Sequence, residues 1–109
     1  AYAHPASVDS LPTSAGQEDH VSMAPWAGRK LLEVCQNTSR VLAIELLSAA
    51  QAIDCMKPLE TTPELQRVHA TVRAAVAFRA HDHRLDRDID ALTALVQSGR
   101  LSTHLALHE

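Results

Sequence analysis

Apolar and polar residues follow a helical period along most of this chain, and the longest periodic run extends from about 25 to 56. Its second half is apolar on nearly all sides, because only Glu45, Ser48 and Gln51 are polar between 41 and 53. A helix of that kind is typically surrounded by other elements. The pattern therefore predicts one long helix that needs many neighbours.

A second helix is predicted over about 62–78. Thr62 suits its N-cap, and Pro63 suits its first position, where an N–H has no helical partner to lose. Glu64 lies in the first turn, close to the positive end of the helix dipole. The expected apolar face consists of four residues at helical spacing: Leu65, Val68, Val72 and Val76.

A third helix is predicted over about 87–98, with Asp86 or Asp88 near its start and Gly99 as its C-terminal stop. Its expected apolar face consists of Ile89, Leu92, Leu95 and Val96. A short helical tail is predicted over about 101–107. Two amphipathic helices of this size cover about two sides of the long helix.

The length of the first helix also exceeds what the chain can enclose. About 30 helical residues extend roughly 45 Å, whereas a compact domain of about this length has a diameter near 34 Å. We infer that the chain is a piece of a larger helical bundle, or that it oligomerises through its long helix.

Residues 1–24 are rich in proline and small polar residues and follow no sustained period. A segment of this length without regular structure is usually either functional or disordered. The predicted fold class is therefore all-α, a long-helix bundle segment preceded by an extended N-terminal loop. We expect an irregular segment over 1–24 and a helical segment over 25–109, together forming a single partial domain.

Composition narrows the function classes. A chain of 109 residues with a net charge of −3 suits one small domain, and it contains no basic run of the kind that binds nucleic acid. Charged residues interrupt its best apolar run, so no membrane span is expected. Cys35 and Cys55 would lie roughly 30 Å apart on one helix, too far for a disulfide. We expect reduced, buried cysteines in a cytoplasmic protein.

The densest group of polar chemistry is "QEDH" at 17–20, just before the long helix. Asp19 or Ser22 could cap that helix, and Glu18 would be favourable near its positive end. A metal site is disfavoured, because adjacent residues of one loop rarely converge on an ion. The remaining interpretation is a catalytic or substrate-binding wall.

Two further histidine groups are expected to bind no metal. His81 and His83 flank an acid, with His69 nearby in sequence, but an exposed loop between helices explains them. His104 and His108 stand one helical turn apart, near the end of the chain, where helices fray. The chain is therefore expected to hold no metal.

The string "QEDHVSM" at 17–23 resembles the C-terminal part of enzymes in the aromatic amino acid lyase family, on the branch that acts on histidine. The likeness runs through nearly the whole chain, including "RKLLEVCQNTSRVLAIELLSAAQAID", "ELQRVHATVRAAVAF" and "DIDALTALVQSG". It implies a nearly all-α, lyase-type fold built on very long central helices. It also implies a homotetramer whose active sites combine residues from several subunits.

The resemblance implies a role for this string in converting L-histidine to urocanate and ammonia. Glu18 would face the substrate side chain as a catalytic and substrate-binding residue, with Gln17 beside it. A carboxylate can accept a hydrogen bond from imidazole, whereas a benzene ring would leave it unpaired. Asp19, His20 and Ser22 would structure the loop.

The family's electrophile is a methylidene-imidazolone group formed from Ala-Ser-Gly, a tripeptide that this chain lacks. "SAG" at 14–16 has the wrong order, and the family's tyrosine base lies upstream, so that role is not assigned to Tyr2. The resemblance thus implies an upstream tripeptide, the remainder of a lyase subunit as partner, and a fragment that is inert alone.

Three features leave alternatives open. Gly16 and Ala24 stand where histidine-specific members usually have Asn and Gly, and Pro25 with Trp26 is unusual after the string. A lyase or aminomutase for another aromatic amino acid is therefore a minor option. A non-catalytic helical interaction module is the alternative from a different class.

Overall fold

The computed structural model describes residues 3–5 and 12–104, and all regular secondary structure in these ranges is helical, as predicted. The α-helices are α1 (Ala24–Cys55), α2 (Pro63–Ala75) and α3 (Asp86–Gln97). Short 3₁₀ turns cover Ser14–Gly16 and Ser102–His104. The remainder of the predicted tail over 101–107 lies outside the described residues. No helix within the described part has the length and apolar character needed to cross a membrane.

The chain divides into two compact units, Ala1–Asn37 and Thr38–Glu109, and the boundary falls inside α1. In the described part of the first unit, no residue is buried. Four large apolar side chains of this unit are exposed on α1: Trp26, Leu31, Leu32 and Val34. The first unit therefore has apolar surface but no core of its own.

The core lies in the second unit and combines residues of α1, α2 and α3 with Val76, which follows α2. Its buried members are Ala43, Ala50, Val72, Val76, Leu92 and Leu95. Leu46, Leu47 and Leu101 pack against this cluster. The apolar positions that α1 contributes to the core are mainly alanines, which allow close approach of the other helices. The larger side chains Val41, Leu42 and Ile44 remain 43 to 56% exposed.

The start of α2 is as predicted. Thr62 is extended, and its side chain accepts a hydrogen bond from the Leu65 N–H at 3.4 Å. Pro63 occupies the first helical turn together with Glu64. The cap satisfies one of the N–H groups that a helix start leaves without a helical partner.

The end of α2 differs from the prediction. The helix ends at Ala75 rather than near 78, because Val76 is extended, with φ −135° and ψ 131°. Val76 is buried in this conformation, and its N–H still donates to the Val72 carbonyl at 2.9 Å. Only the second half of the predicted apolar face is buried, since Leu65 remains 45% exposed.

The end of α3 is as predicted, since the chain leaves the helix at Gly99 with φ +71°. Glycine adopts this left-handed conformation without the cost that a Cβ would add. Asp86 and Asp88 both lie in the first turn, where carboxylates interact favourably with the helix dipole.

The expectation for the two cysteines was only half right. Cys35 and Cys55 remain thiols, but both are exposed rather than buried. The reason is that this chain alone covers little of the circumference of α1. The same shortfall leaves the larger apolar residues of α1 exposed.

Candidate active-site loop

The candidate site is a loop closed by its own main chain. The Thr13 N–H donates to the Glu18 carbonyl at 2.9 Å, and the Gly16 N–H donates to the Thr13 carbonyl at 3.2 Å. Between these bonds the chain forms the 3₁₀ turn Ser14–Gly16. The loop therefore presents Gln17 and Glu18 from a fixed turn.

Two consecutive residues of this turn lie in the left-handed region. Ala15 has φ +60° and Gly16 has φ +65°. The region is open to glycine, but an alanine there costs roughly 1 to 2 kcal/mol. Glycine at 16, where the resemblance leads one to expect asparagine, is compatible with this conformation, because both residues tolerate positive φ.

The predicted site residues lie on one exposed stretch. Gln17, Glu18, Asp19 and His20 are all exposed in this chain. Exposure of a carboxylate in an isolated loop leaves it available to a ligand or to other parts of a larger protein. The stretch itself supplies no enclosing wall.

Ser22 lies at the start of α1. Its Oγ accepts a hydrogen bond from the Ala24 N–H at 3.4 Å. Of the two residues considered as caps, Asp19 and Ser22, the hydrogen bond at this helix start goes to Ser22. A second contact within the first unit joins the Lys30 Nζ to the His4 carbonyl.

No group of three or more His, Cys, Asp and Glu residues suited to a metal ion is present within 3–5 and 12–104. Two of the histidines considered above contact a carboxylate: His83 Nε2 lies 2.7 Å from Asp88 Oδ2, and His69 Nε2 lies 3.2 Å from Asp54 Oδ2. The side chain of His104, together with His108, lies outside the described part of the chain.

The sequence reasoning missed a charged cluster in the second unit, centred on Asp54. The Asp54 carboxylate is 7% exposed and contacts the Arg73 Nε at 2.7 Å and the Lys57 Nζ at 2.9 Å. Arg73 also donates to the Gln51 side-chain oxygen at 3.3 Å, and its guanidinium lies 5.9 Å from the centre of the Phe78 ring. The cluster thus ties α1 to α2 and to the segment that follows α2.

The electrostatics of Asp54 follow from these contacts. The hydrogen bond from Lys57 is the largest influence, and with the bonds from Arg73 and His69 it lowers the pKa of Asp54 from 3.8 to about 2. Burial acts in the opposite direction, because it disfavours the charged form. The i,i+3 spacing of Asp54 and Lys57 is a local signal, but His69 and Arg73 lie 15 and 19 residues from Asp54 across a turn, and no local pattern reveals those two contacts.

Three open clefts, of about 430, 560 and 440 Å³, lie in the second unit. The first is lined by the loop between α1 and α2, with Lys57, Gln66 and His69 among its polar residues. The third is bordered by Leu42, Leu46 and other apolar residues. None of these three includes a residue of the candidate loop.

Residues 1–74 match the family model described as aromatic amino acid lyase. Over 97 residues the chain is 59% identical to the histidine ammonia-lyase of Desulfotalea psychrophila. This match covers 89% of the chain and 19% of that protein. Over 101 residues it is 52% identical to the histidine ammonia-lyase of Pseudoalteromonas atlantica, with 93% and 20% coverage.

A solved structure agrees with these relatives. The crystal structure of histidine ammonia-lyase from Trypanosoma cruzi superposes with a TM-score of 0.88 at 44% sequence identity. The match covers 95% of this chain and 21% of that one. The chain thus spans about a fifth of the length of these relatives. With its family model matched over 1–74, the chain belongs to the aromatic amino acid lyase family.

Proposed function

We propose that this chain is the C-terminal part of a histidine ammonia-lyase, which eliminates ammonia from L-histidine to give urocanate. The observation that carries the proposal is its 52 to 59% identity, over most of its length, to proteins named histidine ammonia-lyase. The local chemistry agrees, since the loop closed by Thr13 presents a carboxylate at the protein surface.

Glu18 is the residue that we assign to the substrate, with Gln17 beside it. Imidazole carries an N–H donor and a nitrogen that titrates near neutral pH, so a carboxylate can accept its hydrogen bond and favour its charged form. A phenyl ring offers no donor, so a carboxylate buried against it would have no partner. Burial of an unpaired charge of this kind costs on the order of several kcal/mol. A carboxylate at 18 therefore favours histidine over phenylalanine or tyrosine.

Asp19, His20 and Ser22 are assigned to the structure of the loop rather than to the chemistry. The hydrogen bond between the Ala24 N–H and the Ser22 side chain supports this for Ser22. Asp19 and His20 follow Glu18 directly and lead the chain into the start of α1. We propose that they hold the loop in a fixed position relative to the start of that helix.

The electrophile is proposed to come from outside this chain. A methylidene-imidazolone group supplies the electron sink for ammonia loss in this family, and it requires an Ala-Ser-Gly sequence that these 109 residues do not contain. The Ser14–Gly16 turn does not fit the group, because its first two residues are exchanged relative to Ala-Ser-Gly and its Gly16 N–H is engaged by the Thr13 carbonyl. The chain alone is therefore expected to be inert.

The uncovered surface of α1 supports the proposed partners. Val41, Leu42 and Ile44 are exposed in the second unit, and Leu31 and Leu32 in the first. Exposed apolar surface of this kind marks an interface. We propose that the chain is one partial domain, and that the rest of the lyase subunit and a cytoplasmic homotetramer cover these residues.

The test is Glu18→Gln in the full-length protein that carries this segment. We expect histidine turnover to fall about 100-fold, because the amide cannot hold the charged imidazole or move its proton. Glu33→Gln, at an exposed carboxylate of α1, is the control. Unchanged turnover in the Glu18 variant would remove this residue from the site. A full-length protein that never converts histidine would favour the non-catalytic interaction module.

A further inference from the structure

Thr13 holds the candidate loop at both ends of its turn. Its N–H binds the carbonyl of Glu18, the residue assigned to the substrate, and its carbonyl binds the N–H of Gly16. Both bonds use the main chain, so the position of Glu18 depends directly on where Thr13 lies.

The conformation that these bonds hold is an unfavourable one. Ala15 and Gly16 are both left-handed, and a non-glycine residue in that region needs surrounding structure to keep it there. The two bonds of Thr13 span this pair and offset its cost. Without them, the loop is expected to relax and to move the Glu18 side chain.

We propose that Thr13 is a positioning residue for Glu18, acting through its main-chain N–H. The proposal rests on the function proposed above, in which Glu18 contacts the imidazole of histidine. A charged hydrogen bond to substrate requires placement within roughly 0.5 Å. A displacement of about 1 Å in an active site can lower the rate on the order of 100-fold.

The Thr13 hydroxyl is not part of this role. Its Oγ1 is enclosed and has no hydrogen-bond partner among the described residues. Removing a hydroxyl that has no partner is close to neutral. The side chain can therefore be changed separately from the N–H, which makes a matched pair of variants available.

The experiment compares Thr13→Pro with Thr13→Val in the full-length protein. Thr13 has φ −78°, which proline can adopt, so the Pro variant deletes the N–H with little change in backbone angle. We expect kcat/KM for histidine to fall on the order of 10- to 100-fold in the Pro variant. The Val variant keeps the N–H and is expected to lose about twofold at most.

A second pair keeps the test valid if the Pro variant does not fold. No atom lies within 4 Å of a Cβ placed at Gly16, so a side chain fits there, but its φ of +65° disfavours a β-branched residue. Gly16→Val is expected to lower kcat/KM about tenfold by disturbing the turn. Gly16→Asn, a residue that tolerates positive φ, is expected to retain activity.

The decisive readout is a double-mutant cycle with Glu18→Gln. If Thr13 acts through Glu18, the additional loss caused by Thr13→Pro or Gly16→Val disappears in the Glu18→Gln background. The same fold loss in both backgrounds would show a general structural role and overturn the inference. Equal losses in the Pro and Val variants of Thr13 would overturn it as well.

The cycle also separates this inference from the proposed function. A Glu18→Gln variant with full histidine turnover contradicts the assignment of Glu18 itself. A Glu18→Gln variant that loses turnover, combined with additive effects of Thr13→Pro, leaves the proposed function standing and removes only Thr13.

Discussion

The two units of this chain distribute stability and chemistry in opposite ways. The unit Thr38–Glu109 contains all six buried apolar residues of the described chain and the charged cluster around Asp54. The unit Ala1–Asn37 contains the proposed substrate residues, but none of its described residues is buried. The part of the chain that carries the candidate chemistry is thus the part that cannot hold itself together by burial.

This contrast indicates where each unit obtains its order. Burial of apolar surface is the main favourable term in folding. The second unit has that term within its own sequence, whereas the first unit relies on local hydrogen bonds and on a helix that continues into the second unit. We therefore expect the proposed active-site segment to depend on other parts of a larger protein for a defined shape.

The largest expected effect compares two Leu→Ala substitutions. Leu92 is fully buried, and its removal is expected to lower the free energy of unfolding by about 2 to 5 kcal/mol. Leu32 is 67% exposed, and the same substitution there is expected to change it by less than about 0.5 kcal/mol. Urea unfolding of the 109-residue chain, followed by circular dichroism, measures both.

For Leu32→Ala, a larger loss of unfolding free energy is expected in the full-length protein. If partners cover α1 as proposed, Leu32→Ala will cost more there than in the isolated chain. Equal and large losses at both leucines in the isolated chain would contradict the difference between the two units.

A smaller effect is expected at the Asp54 cluster. Replacing Arg73 by Met keeps most of its apolar stem but removes its hydrogen bond to Asp54, and we expect a loss of about 2 kcal/mol. Arg67 pairs with Glu64 at 3.5 Å, and both side chains are more than half exposed. Arg67→Met is therefore expected to cost about 0.5 kcal/mol or less. A similar loss for both variants in urea unfolding would show that the cluster stabilises the fold no more than an exposed ion pair does.

The sequence was sufficient to predict most of the fold but not its interior. Periodicity, Thr62 and Gly99 predicted the helices and several of their ends, because these signals are local. The early end of α2 was missed, because Val76 leaves the helix to become buried in a core that the local pattern does not describe. Tertiary packing overrides local propensity at such a position.

The candidate site shows the same division. The string at 17–23 was found by its resemblance to a family, and its position before α1 followed from the sequence. The left-handed pair Ala15 and Gly16 and the double hydrogen bonding of Thr13 could not be predicted. They depend on the type of turn, and a short loop sequence of this kind is compatible with several turn types.

Acid is expected to weaken the second unit through Asp54. Its pKa is about 2 in the folded chain, below the ordinary 3.8, so the stabilisation is fully present above pH 3.8 and is lost as the pH falls towards 2. Unfolding free energy should therefore decline across this range, and Asp54→Asn should remove part of the decline. Urea midpoints measured at several pH values test this. An identical pH dependence in both proteins would exclude Asp54 as its source.

The smallest expected effects come from replacing one glycine of each unit by alanine. Gly28 lies within α1 in the first unit and Gly99 follows α3 in the second, and a Cβ at either would meet nothing within 4 Å. Because Gly99 has φ +71°, Gly99→Ala is expected to cost about 1 kcal/mol of unfolding free energy. Gly28→Ala favours helix by about 1 kcal/mol, but the first unit has no core to couple that gain to cooperative unfolding. We therefore expect higher helix content by circular dichroism with an unchanged urea midpoint. A raised midpoint in the Gly28 variant would show that the first unit unfolds together with the second.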